Sequence, residues 1–504
     1  MNVVWLKRDL RLADHAPLAE ACARGDVLVL YVVETELVAQ AETDSSHVKF
    51  AAESLGELRE GIRARGGDLV IRHGTLPDVF EELHRQRPIR ALFSHEETGN
   101  GLTYARDKRV AAWCAAHAIP WSEFPQTGVV RRLRTRDGWA SGWNARMMTH
   151  LAKTPDVIPS VRVPRLEPGV IPDERVLGLS PSRKTEAQRG GESQGRATLA
   201  SFFADRGAGY ATALSSPVSG WEGCSRISPY LAFGNVSMRQ VVHASALKRR
   251  RLERDVSPEA RQWRASLTAF DARLRWHCHF MQKLEDEPRL EYENLSLAMD
   301  GLREQAHRDD LFEAWATGRT GYPMIDACMR ALLATGWVNF RMRAMLMSFA
   351  AYDLWLHWRP TGLHLARHFL DFEPGIHWSQ AQMQAGTTGI NTLRIYSPTK
   401  QLVDHDPQGI FVRQWVPELA RIPDAYLAEP WKMPPLEQRA TGFLVGETYP
   451  APIVDHNAAV AEAKRRLAPA RGSTSAREEA ARILVKHGSR KRPPPRRRGP
   501  REAS

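Results

Sequence analysis

The sequence has few cysteines, and their positions exclude several classes of protein. Five occur among 504 residues, and no two of them form a CxxC pair. Zinc sites and iron–sulfur clusters need clustered ligands, and small disulfide-stapled domains need cysteines at higher density. We therefore expect neither a metal site nor a disulfide framework. The five are Cys22, Cys114, Cys224, Cys278 and Cys328.

Long apolar runs are also missing. No stretch approaches the ~18 residues of a membrane span, and the first residues lack the apolar stretch of a signal peptide. A GxGxxG motif after the first predicted strand and a GxxxxGK motif followed by Ser or Thr are both absent. We therefore expect a cytoplasmic protein that does not contact a membrane and has no Rossmann-type or P-loop nucleotide site.

Acidic residues are in the minority, at 58 against 70 Lys and Arg, which leaves a net charge of +12. Residues 490–501 hold seven of the basic residues and no acidic one, so the rest of the chain carries about +5. That surplus permits an anionic partner without requiring one. The basic run is rich in proline and repels itself, so residues 466–504 are predicted to be a disordered basic tail. Such a tail is either a solvated appendage or a phosphate-binding arm.

Short β-branched runs alternate with helical patterns at the start of the chain. The runs are residues 3–6, 27–33, 68–71 and 89–93. Alternation of this kind predicts a doubly wound parallel sheet over residues 1–130, an α/β domain. Glu96, Glu97 and Asn100 follow the fourth run, at the edge where such sheets bind ligands, although polar loops are ordinary there too.

The remainder of the chain is predicted to be helical. Residues 131–195 are predicted to be a connector between domains, because residues from about 155 to 195 are rich in Pro, Ser, Gly and Arg without periodicity. Residues 196–465 form an all-α domain in this interpretation. Its predicted helices cover residues 197–205, 237–250, 258–284, 309–317, 323–334, 340–358 and 361–369.

Three segments of the helical domain carry candidate chemistry. Arg343 lies inside an apolar run, so its guanidinium needs a carboxylate partner such as Asp371 or Asp353. The pair is either a structural ion pair or part of a functional site. Residues 224–231 place two hydroxyls and Arg226 before a helical run. This arrangement is either a binding site for an anion or an ordinary helix cap. The Gly and Thr residues of 386–392 are a second candidate loop or simply a turn.

Residues 273–284 interleave basic and aromatic side chains on a predicted helix. Such a face suits nucleic acid, with Trp276 stacking on a base, but it also fits a core Trp with a solvated basic side. His277 and His279 are two residues apart and point to different sides of a helix, so they do not form a metal site.

Five motifs occur in a fixed order along the chain. They are VWLKRDLRLAD (4–14), TGYPMIDACMR (320–330), TGWVNFRMR (335–343), RIYSP (394–398) and FVRQWVPEL (411–419). In this order they resemble the cryptochrome and DNA photolyase family over almost the whole chain up to about residue 425. Within that family the chain is similar to a divergent subgroup of bacterial photolyases that act on cyclobutane pyrimidine dimers.

The resemblance implies FAD in the helical domain, a second antenna chromophore of unknown identity in the α/β domain, UV-damaged DNA as partner, and a monomer. It implies that FAD contacts Tyr210, Cys224, Ser225, Arg226, Ile227, Ser228, His277, Arg343, Asp371, Phe372, Glu373 and His377. It implies that DNA contacts Arg273, Trp276, Lys283, Asn339 and Phe340. The residues assigned to catalysis by the resemblance are Trp276, Trp358, Trp378 and Asn339.

The implied activity is repair of cyclobutane dimers by an electron from light-excited, reduced FAD, with the lesion flipped out of the duplex. An FAD blue-light receptor of the cryptochrome type and a photolyase for (6-4) photoproducts are the alternatives. The two histidines used on (6-4) lesions correspond here to Phe340 and Ala344, which cannot transfer a proton, so cyclobutane dimers are favoured.

The chain departs from the family pattern at two places. Arg273 stands where many photolyases have an acidic residue, and Phe340 follows Asn339 where the family's Asn usually lies. Of the three tryptophans that commonly reduce the flavin, only Trp358 has a match. Trp315, Trp355 and Trp378 are either another electron route or core residues.

Overall fold

The computed structural model describes residues 1–161 and 166–488. The chain begins with a five-stranded sheet of β1 (Asn2–Leu6), β2 (Val27–Glu34), β3 (Leu69–Gly74), β4 (Ala91–His95) and β5 (Trp121–Phe124). The strand order is β3-β2-β1-β4-β5, and every neighbouring pair is parallel. The predicted doubly wound sheet is confirmed. The sequence did not predict β5, because the polar Ser122 and Glu123 interrupt the apolar run by which a buried strand is recognised.

Successive strand residues point to opposite faces of the sheet, so each face has its own core. Trp5 packs on one side with Phe80 and Trp113, whereas Leu6 packs on the other with Leu58 and Ile62. Helices cover both faces. They are α1 (Ala16–Ala23), α2 (Ser45–Arg63), α3 (Asp78–Gln86) and α4 (Gly101–Ala116).

The predicted connector, residues 131–195, is more ordered than its composition indicates. It contains α5 (Trp139–Met147) and the start of α6 (Glu192–Ala204). Trp143 of α5 is buried in a core shared with the helical part. Ser160 pairs with Val27 of β2, and Ile71 N of β3 donates to the carbonyl of Pro168. Much of this segment is therefore packed on the α/β domain that precedes it in the chain.

Helices dominate the rest of the described chain. The longer ones are α7 (Met238–Arg251), α8 (Pro258–Asp286), α9 (Asp309–Ala316), α10 (Pro323–Thr335), α11 (Phe340–Ser348), α12 (Trp358–His368), α13 (Pro374–Ala385), α14 (Pro398–His405), α15 (His456–Gly472) and α16 (Thr474–His487). Shorter helices are Thr35–Val38, Tyr210–Ala213, Gly220–Gly223, Ser228–Ala232, Ile410–Trp415, Asp424–Leu427 and Pro435–Thr441. No helix within the described ranges is long and apolar enough to cross a bilayer.

One predicted helix, 340–358, is interrupted in the structure. After α11 the chain makes a π-helical turn, Phe349–Asp353, in which Leu354 N donates to the carbonyl of Phe349. Trp355 then has a φ of +55°, a left-handed conformation that ends a right-handed helix. The next helix, α12, begins at Trp358. Hydrophobic periodicity continues through the break, so a sequence pattern cannot reveal it.

The prediction of a disordered tail from residue 466 is wrong for the residues up to 487. These residues belong to α15 and α16, whose Ala463, Leu467 and Ile483 are buried. These apolar residues recur at helical spacing and so form one packed face of each helix, whereas the many charged residues lie on the outer faces. The all-α domain therefore extends past residue 465. The basic run 490–501 lies outside the described residues.

Candidate cofactor and nucleic-acid site

A cavity of about 300 Å³ lies between α8, α11, α13 and the turn before Ser228. That volume is within the range of about 300–1,000 Å³ that is common for ligand sites. Most of the predicted site residues line it. They are Tyr210, Cys224, Ser225, Arg226, Ser228, Arg273, Trp276, His277, Phe340, Arg343, Asp371, Phe372, Glu373 and His377.

Arg343 and Asp371 form a two-pronged ion pair at the cavity wall. Nη1 and Nη2 of Arg343 donate to Oδ1 and Oδ2 of Asp371, each at 2.9 Å, and Nε donates to the carbonyl of Val338 at 2.7 Å. Burial raises the pKa of Asp371, but the guanidinium outweighs burial and holds this pKa below its ordinary value. Asp371 is therefore the partner of Arg343. Asp353 pairs with His456 instead.

The segment that carries Asp371 is fastened by the α/β domain. Nη2 of Arg8 donates to the carbonyl of Phe372 at 2.6 Å, and Nη1 of Arg8 lies 3.3 Å from Oε2 of Glu373. Nε2 of His47 donates to the carbonyl of Phe369 at 2.9 Å. Burial raises the pKa of Glu373, and Arg8 opposes that effect. We call residues 369–373 the flavin loop.

Arg226 supplies a buried positive charge at one end of the cavity. Its φ of +58° is rare for a residue with a side chain, and such strain is typical of functional sites. Its guanidinium lies 4.5 Å from the ring centroid of Trp221 and 4.1 Å from that of Trp337. Burial lowers the pKa of Arg226 to about 10, so it stays protonated at neutral pH. With the hydroxyls of Ser225 and Ser228 beside it, this end suits an anion.

The cavity's histidines and cysteine are uncharged at neutral pH. Burial lowers the pKa of both His277 and His377 to about 4, and it raises the pKa of Cys224 to about 11. Nε2 of His377 donates to the carbonyl of Gly362 at 2.7 Å. The charges at this site therefore come from arginines and carboxylates.

Two large aromatic side chains stand exposed at the cavity mouth. Trp276 of α8 is 37% exposed and Phe340 of α11 is 36% exposed. The guanidinium of Arg273 lies 4.5 Å from the ring centroid of Phe340. Exposed rings with a cation at a concave rim can stack on unpaired bases and bind phosphate.

Five predicted site residues, Ile227, Lys283, Asn339, Trp358 and Trp378, do not line the cavity, and Lys283 requires a correction. Only 5% of Lys283 is exposed, and its Nζ lies 5.2 Å from the Phe280 ring centroid; burial lowers its pKa to about 8. It is too deep to contact DNA at the mouth, because its turn of α8 faces inward. Asn339 is also buried, with Nδ2 donating to the carbonyl of Leu214 at 3.2 Å. Ile227 is a core residue behind the turn.

Trp378 and Trp358 form a buried pair behind the cavity wall. Their ring centroids are 6.0 Å apart, and Trp378 lies 4.8 Å from His377 and 6.3 Å from Phe372, both of which line the cavity. Nε1 of Trp358 donates to Oδ1 of Asn294 at 2.7 Å. The other candidates lie elsewhere: Trp315 contacts Phe312 and His364, and Trp355 lies between Arg303 and Arg466.

The polar atoms of the cavity fit FAD. Oε1 of Glu373 and Oε1 of Gln384 are buried without a hydrogen-bond partner, and buried acceptors call for N–H donors. The isoalloxazine and adenine rings supply N–H groups, and the FAD phosphates suit Arg226. Sequence reasoning missed Gln384, although its position seven residues after His377 puts both on one face of α13.

A second cavity of about 220 Å³ lies at the carboxyl edge of the sheet, as the polar residues after β4 indicate. Glu97 and Asn100 line it, together with Arg8 and Tyr31. Phe372 of the flavin loop lines both this cavity and the first one. Only a thin wall therefore separates the two spaces.

One buried polar cluster within the described residues has ligand atoms of the metal-binding type. Oδ2 of Asp9 lies 3.0 Å from Nε2 of His15 and 2.7 Å from Nδ1 of His95. Both rings donate hydrogen bonds to the carboxylate in this geometry. These bonds explain the cluster without an ion.

A parallel α/β domain joined to a helical domain with a ligand-sized cavity defines a two-domain cofactor-binding protein, and comparisons with known proteins specify the class. Residues 2–140 match the family model of DNA photolyase, and residues 270–469 match that of the FAD binding domain of DNA photolyase. A cryptochrome DASH of Gloeobacter violaceus is 30% identical over 478 residues, covering 90% of this chain and 93% of that protein.

Other relatives are named photolyases. A deoxyribodipyrimidine photo-lyase of Streptomyces griseus is 31% identical over 501 residues, covering 93% of this chain and 99% of that protein. The crystal structure of a bacterial class III photolyase from Agrobacterium tumefaciens matches with a TM-score of 0.82 at 25% identity, over 94% of this chain and 98% of that one. The chain belongs to the DNA photolyase and cryptochrome family, as its motifs predict.

Proposed function

We propose that this protein uses blue light and reduced FAD to split cyclobutane pyrimidine dimers in DNA. One observation carries the proposal: the cavity walled by the Arg343–Asp371 pair opens at a rim formed by Trp276, Phe340 and Arg273. This rim suits a flipped-out pair of pyrimidines beside a deep cofactor site.

In this proposal the cavity residues hold FAD by charge and hydrogen bonding. Arg343 and Asp371 would hold the isoalloxazine, and Arg226 with its serines would hold the phosphates. Glu373 Oε1 and Gln384 Oε1 accept from N–H groups of the cofactor. When bound and fully reduced, FAD supplies one electron to the lesion after absorbing blue light. The protein positions the lesion, excludes water and fixes the local charge.

The mouth residues recognise the lesion. Trp276 and Phe340 stack on the extruded pyrimidines, and Arg273, held against Phe340, donates to a pyrimidine carbonyl or to the adjacent phosphate. An arginine can perform this role where an acidic residue stands in many photolyases, because pyrimidine carbonyls and phosphates are acceptors.

Proton supply favours cyclobutane dimers over (6-4) photoproducts as the substrate. Repair of a (6-4) lesion needs a proton donor, and Phe340 and Ala344 have no transferable proton. The cavity's own histidines, His277 and His377, have a pKa of about 4 and are poor acids at neutral pH. Splitting a cyclobutane ring needs no proton transfer.

Trp378 and Trp358 would relay single electrons to oxidised FAD in the light, and a thiol reductant in solution would return the oxidised tryptophan to its starting state. Trp378 contacts two cavity residues and Trp358 in turn, so the pair reaches from the cavity wall into the protein. This route replaces the family's inner tryptophan, which has no counterpart at its usual position in this sequence.

The second cavity holds an antenna chromophore in this proposal. Its place at the carboxyl edge of a parallel sheet is where such sheets bind ligands, and Phe372 brings it next to the flavin cavity. The chemistry of the lining does not select one chromophore.

The test is repair of an oligonucleotide that carries one defined thymine dimer, single- and double-stranded, by protein with chemically reduced FAD. We expect intact thymines in light and none in the dark. Failure of fully loaded protein, repeated on a (6-4) substrate, would favour a photoreceptor. That is the second candidate, because the cryptochrome DASH relative is about as similar, at 30%, as the photo-lyase at 31%.

A further inference from the structure

Two arginines from distant parts of the chain hold the two ends of the Gly and Thr loop, residues 386–392. Nη1 of Arg303 donates to the carbonyl of Ala385 at 3.1 Å, where α13 ends. Nη2 of Arg471, in the last turn of α15, donates to the carbonyl of Asn391 at 2.9 Å. We call Arg303, Arg471 and the neighbouring Tyr352 the arginine cluster.

Tyr352 belongs to the π-helical turn after α11 and lies against the same loop. A Cβ on Gly386 would be 2.5 Å from the hydroxyl of Tyr352, so this hydroxyl contacts the first residue of the loop. The guanidinium carbon of Arg303 is 5.6 Å from the Tyr352 ring centroid. Burial raises the pKa of Tyr352, and the charges of Arg303 and Arg471 both oppose that rise, so both lie near the phenol. The three side chains therefore meet behind one loop.

The cluster has four buried donor atoms without an acceptor among the described residues: Nε and Nη2 of Arg303, Nη1 of Arg471 and the hydroxyl of Tyr352. Arg303 is only 2% exposed and Tyr352 only 1%. Buried N–H and O–H groups are nearly always hydrogen-bonded, so these atoms call for an acceptor. Nε and Nη2 lie on one edge of the guanidinium, and the two N–H groups of such an edge fit two oxygens of one oxyanion.

The positive charge of the cluster has no carboxylate paired with it in the described part of the chain. The guanidinium groups of Arg303 and Arg471 donate there only to main-chain carbonyls. Glu304 attracts Arg303, but its two oxygens accept from Nδ2 of Asn294 at 3.2 Å and from the backbone N–H of Arg303 at 3.0 Å. Burial lowers the pKa of Arg303 to about 10, so it is protonated at neutral pH. Water molecules would accept the hydrogen bonds but leave both charges uncompensated.

We propose that the arginine cluster binds a small, doubly negative oxyanion, inorganic phosphate or sulfate. The edge of Arg303 takes two of its oxygens, while Nη1 of Arg471 and the hydroxyl of Tyr352 donate to the others. Two negative charges match the two arginines, whereas chloride or acetate leaves one arginine uncompensated. A free ion suits the cluster because the donors are buried. The cluster lies outside the lining of the FAD cavity, so its occupation does not depend on the light reaction.

The first experiment measures phosphate binding to FAD-loaded, full-length protein in the dark at pH 8, by calorimetric titration at constant ionic strength. We expect saturable binding of one phosphate. The melting temperature should rise with the logarithm of the phosphate concentration above Kd, because the ion binds only the folded protein. Sulfate should displace phosphate, and chloride and acetate at the same concentration should not. Absence of saturable binding of both phosphate and sulfate would overturn the proposal.

The second experiment tests the location of the ion with three variants. Arg303→Lys keeps a charge but loses the two-pronged edge, and Tyr352→Phe loses only the hydroxyl, so each should weaken phosphate binding about tenfold or more. Arg466→Gln is the matched control, since Arg466 lies on α15 beside Trp355 but pairs with Glu462 at 2.6 Å. Its Kd should stay within about twofold of the unaltered protein's, as expected for an exposed ion pair.

FAD content and circular dichroism show whether each variant is folded. If Arg303→Lys does not fold, Tyr352→Phe decides the matter, because it keeps the ring and all of its apolar contacts. The same Kd for phosphate in Tyr352→Phe and in the control would place the ion elsewhere and contradict the proposal.

Discussion

Arg343 and Asp371 are the residues through which the cavity wall acts on FAD in the proposed function. Asp371 is 4% exposed at its side chain, and two hydrogen bonds from one guanidinium neutralise it. A carboxylate at this depth is costly without its partner, so each residue needs the other for the wall to keep its shape.

Arg343→Ala should therefore weaken FAD binding about 100-fold, or ~3 kcal/mol, because it leaves Asp371 buried and uncompensated. The measurements are FAD content after purification and Kd by fluorescence titration. Arg330→Ala is the matched control, since Arg330 pairs with Glu418 at 2.9 Å outside the cavity lining. Full FAD content and an unchanged Kd in Arg343→Ala would contradict the assignment.

Trp276→Ala should weaken binding of dimer-containing DNA by ~1–3 kcal/mol, because it removes a stacking surface from the mouth. Tyr292→Ala serves as the control, since Tyr292 is a 56% exposed aromatic residue outside the cavity lining. Equilibrium binding in the dark measures both. Equal affinities for the Trp276 variant and the unaltered protein would remove Trp276 from the site.

Trp378→Phe should slow light-driven reduction of oxidised FAD at least tenfold, because it breaks the contact between the cavity and Trp358. Repair by chemically reduced protein should remain, which separates electron supply from lesion chemistry. Trp315→Phe is the control, as this fully buried Trp contacts neither Trp378 nor Trp358. Normal photoreduction in Trp378→Phe would exclude the route.

Among the elements, those with strong local patterns were predictable from the sequence. Four strands and most long helices lie within a few residues of their predicted positions, because buried β-branched runs and helical spacing decide them locally. The π-helical turn after α11 and the order of α15 and α16 were not predictable. Both depend on packing between distant segments, such as Tyr352 against Leu467.

The same limit applies to the site. Arg343 had two candidate partners in the sequence, Asp353 and Asp371. Only the folded position of the flavin loop shows that Asp371 is the partner. Lys283 belongs to a basic and aromatic segment, yet its side chain is buried beside Phe280. Sequence spacing identifies the helix face approximately, but the neighbouring segment determines whether that face is open to solvent.

Leu467→Ala tests whether α15 is an integral part of the fold. Leu467 is fully buried, so the cavity left behind should lower the free energy of unfolding by ~2–4 kcal/mol. Val485→Ala in α16 is the control, because Val485 is 70% exposed. Denaturant unfolding of FAD-loaded protein measures both. A Leu467 variant as stable as the control would restore the prediction of disorder.

At the scale of the whole molecule, buried histidines make the stability depend on pH below neutrality. Burial lowers the pKa of eight of them to about 3 or 4: His47, His95, His277, His279, His364, His368, His377 and His487. A neutral buried histidine favours folding above its unfolded pKa of about 6.5, and this contribution is lost as the pH falls toward the folded pKa.

The free energy of unfolding should therefore fall between pH 6.5 and 4, by up to about 1.4 kcal/mol per pH unit for each histidine that stays neutral, and the melting temperature should fall with it. Within the described residues, burial also raises the pKa of ten carboxyl groups, Glu34 and Glu285 to about 7, and these groups oppose the trend in part. Thermal unfolding at constant ionic strength measures the trend, and changing His364 and His368 to Gln should flatten it. A constant melting temperature over this range would contradict the assignment of neutral histidines.

The contacts of Arg8 and His47 with the flavin loop limit how the molecule can be divided. Three carbonyl or carboxylate groups of that loop are held by the first two segments of the α/β domain, on the far side of the connector in sequence. A protein engineer who cut the chain at the connector to obtain the helical domain alone would remove the partners that hold this loop. The smallest unit that keeps this wall of the cavity in place includes both domains.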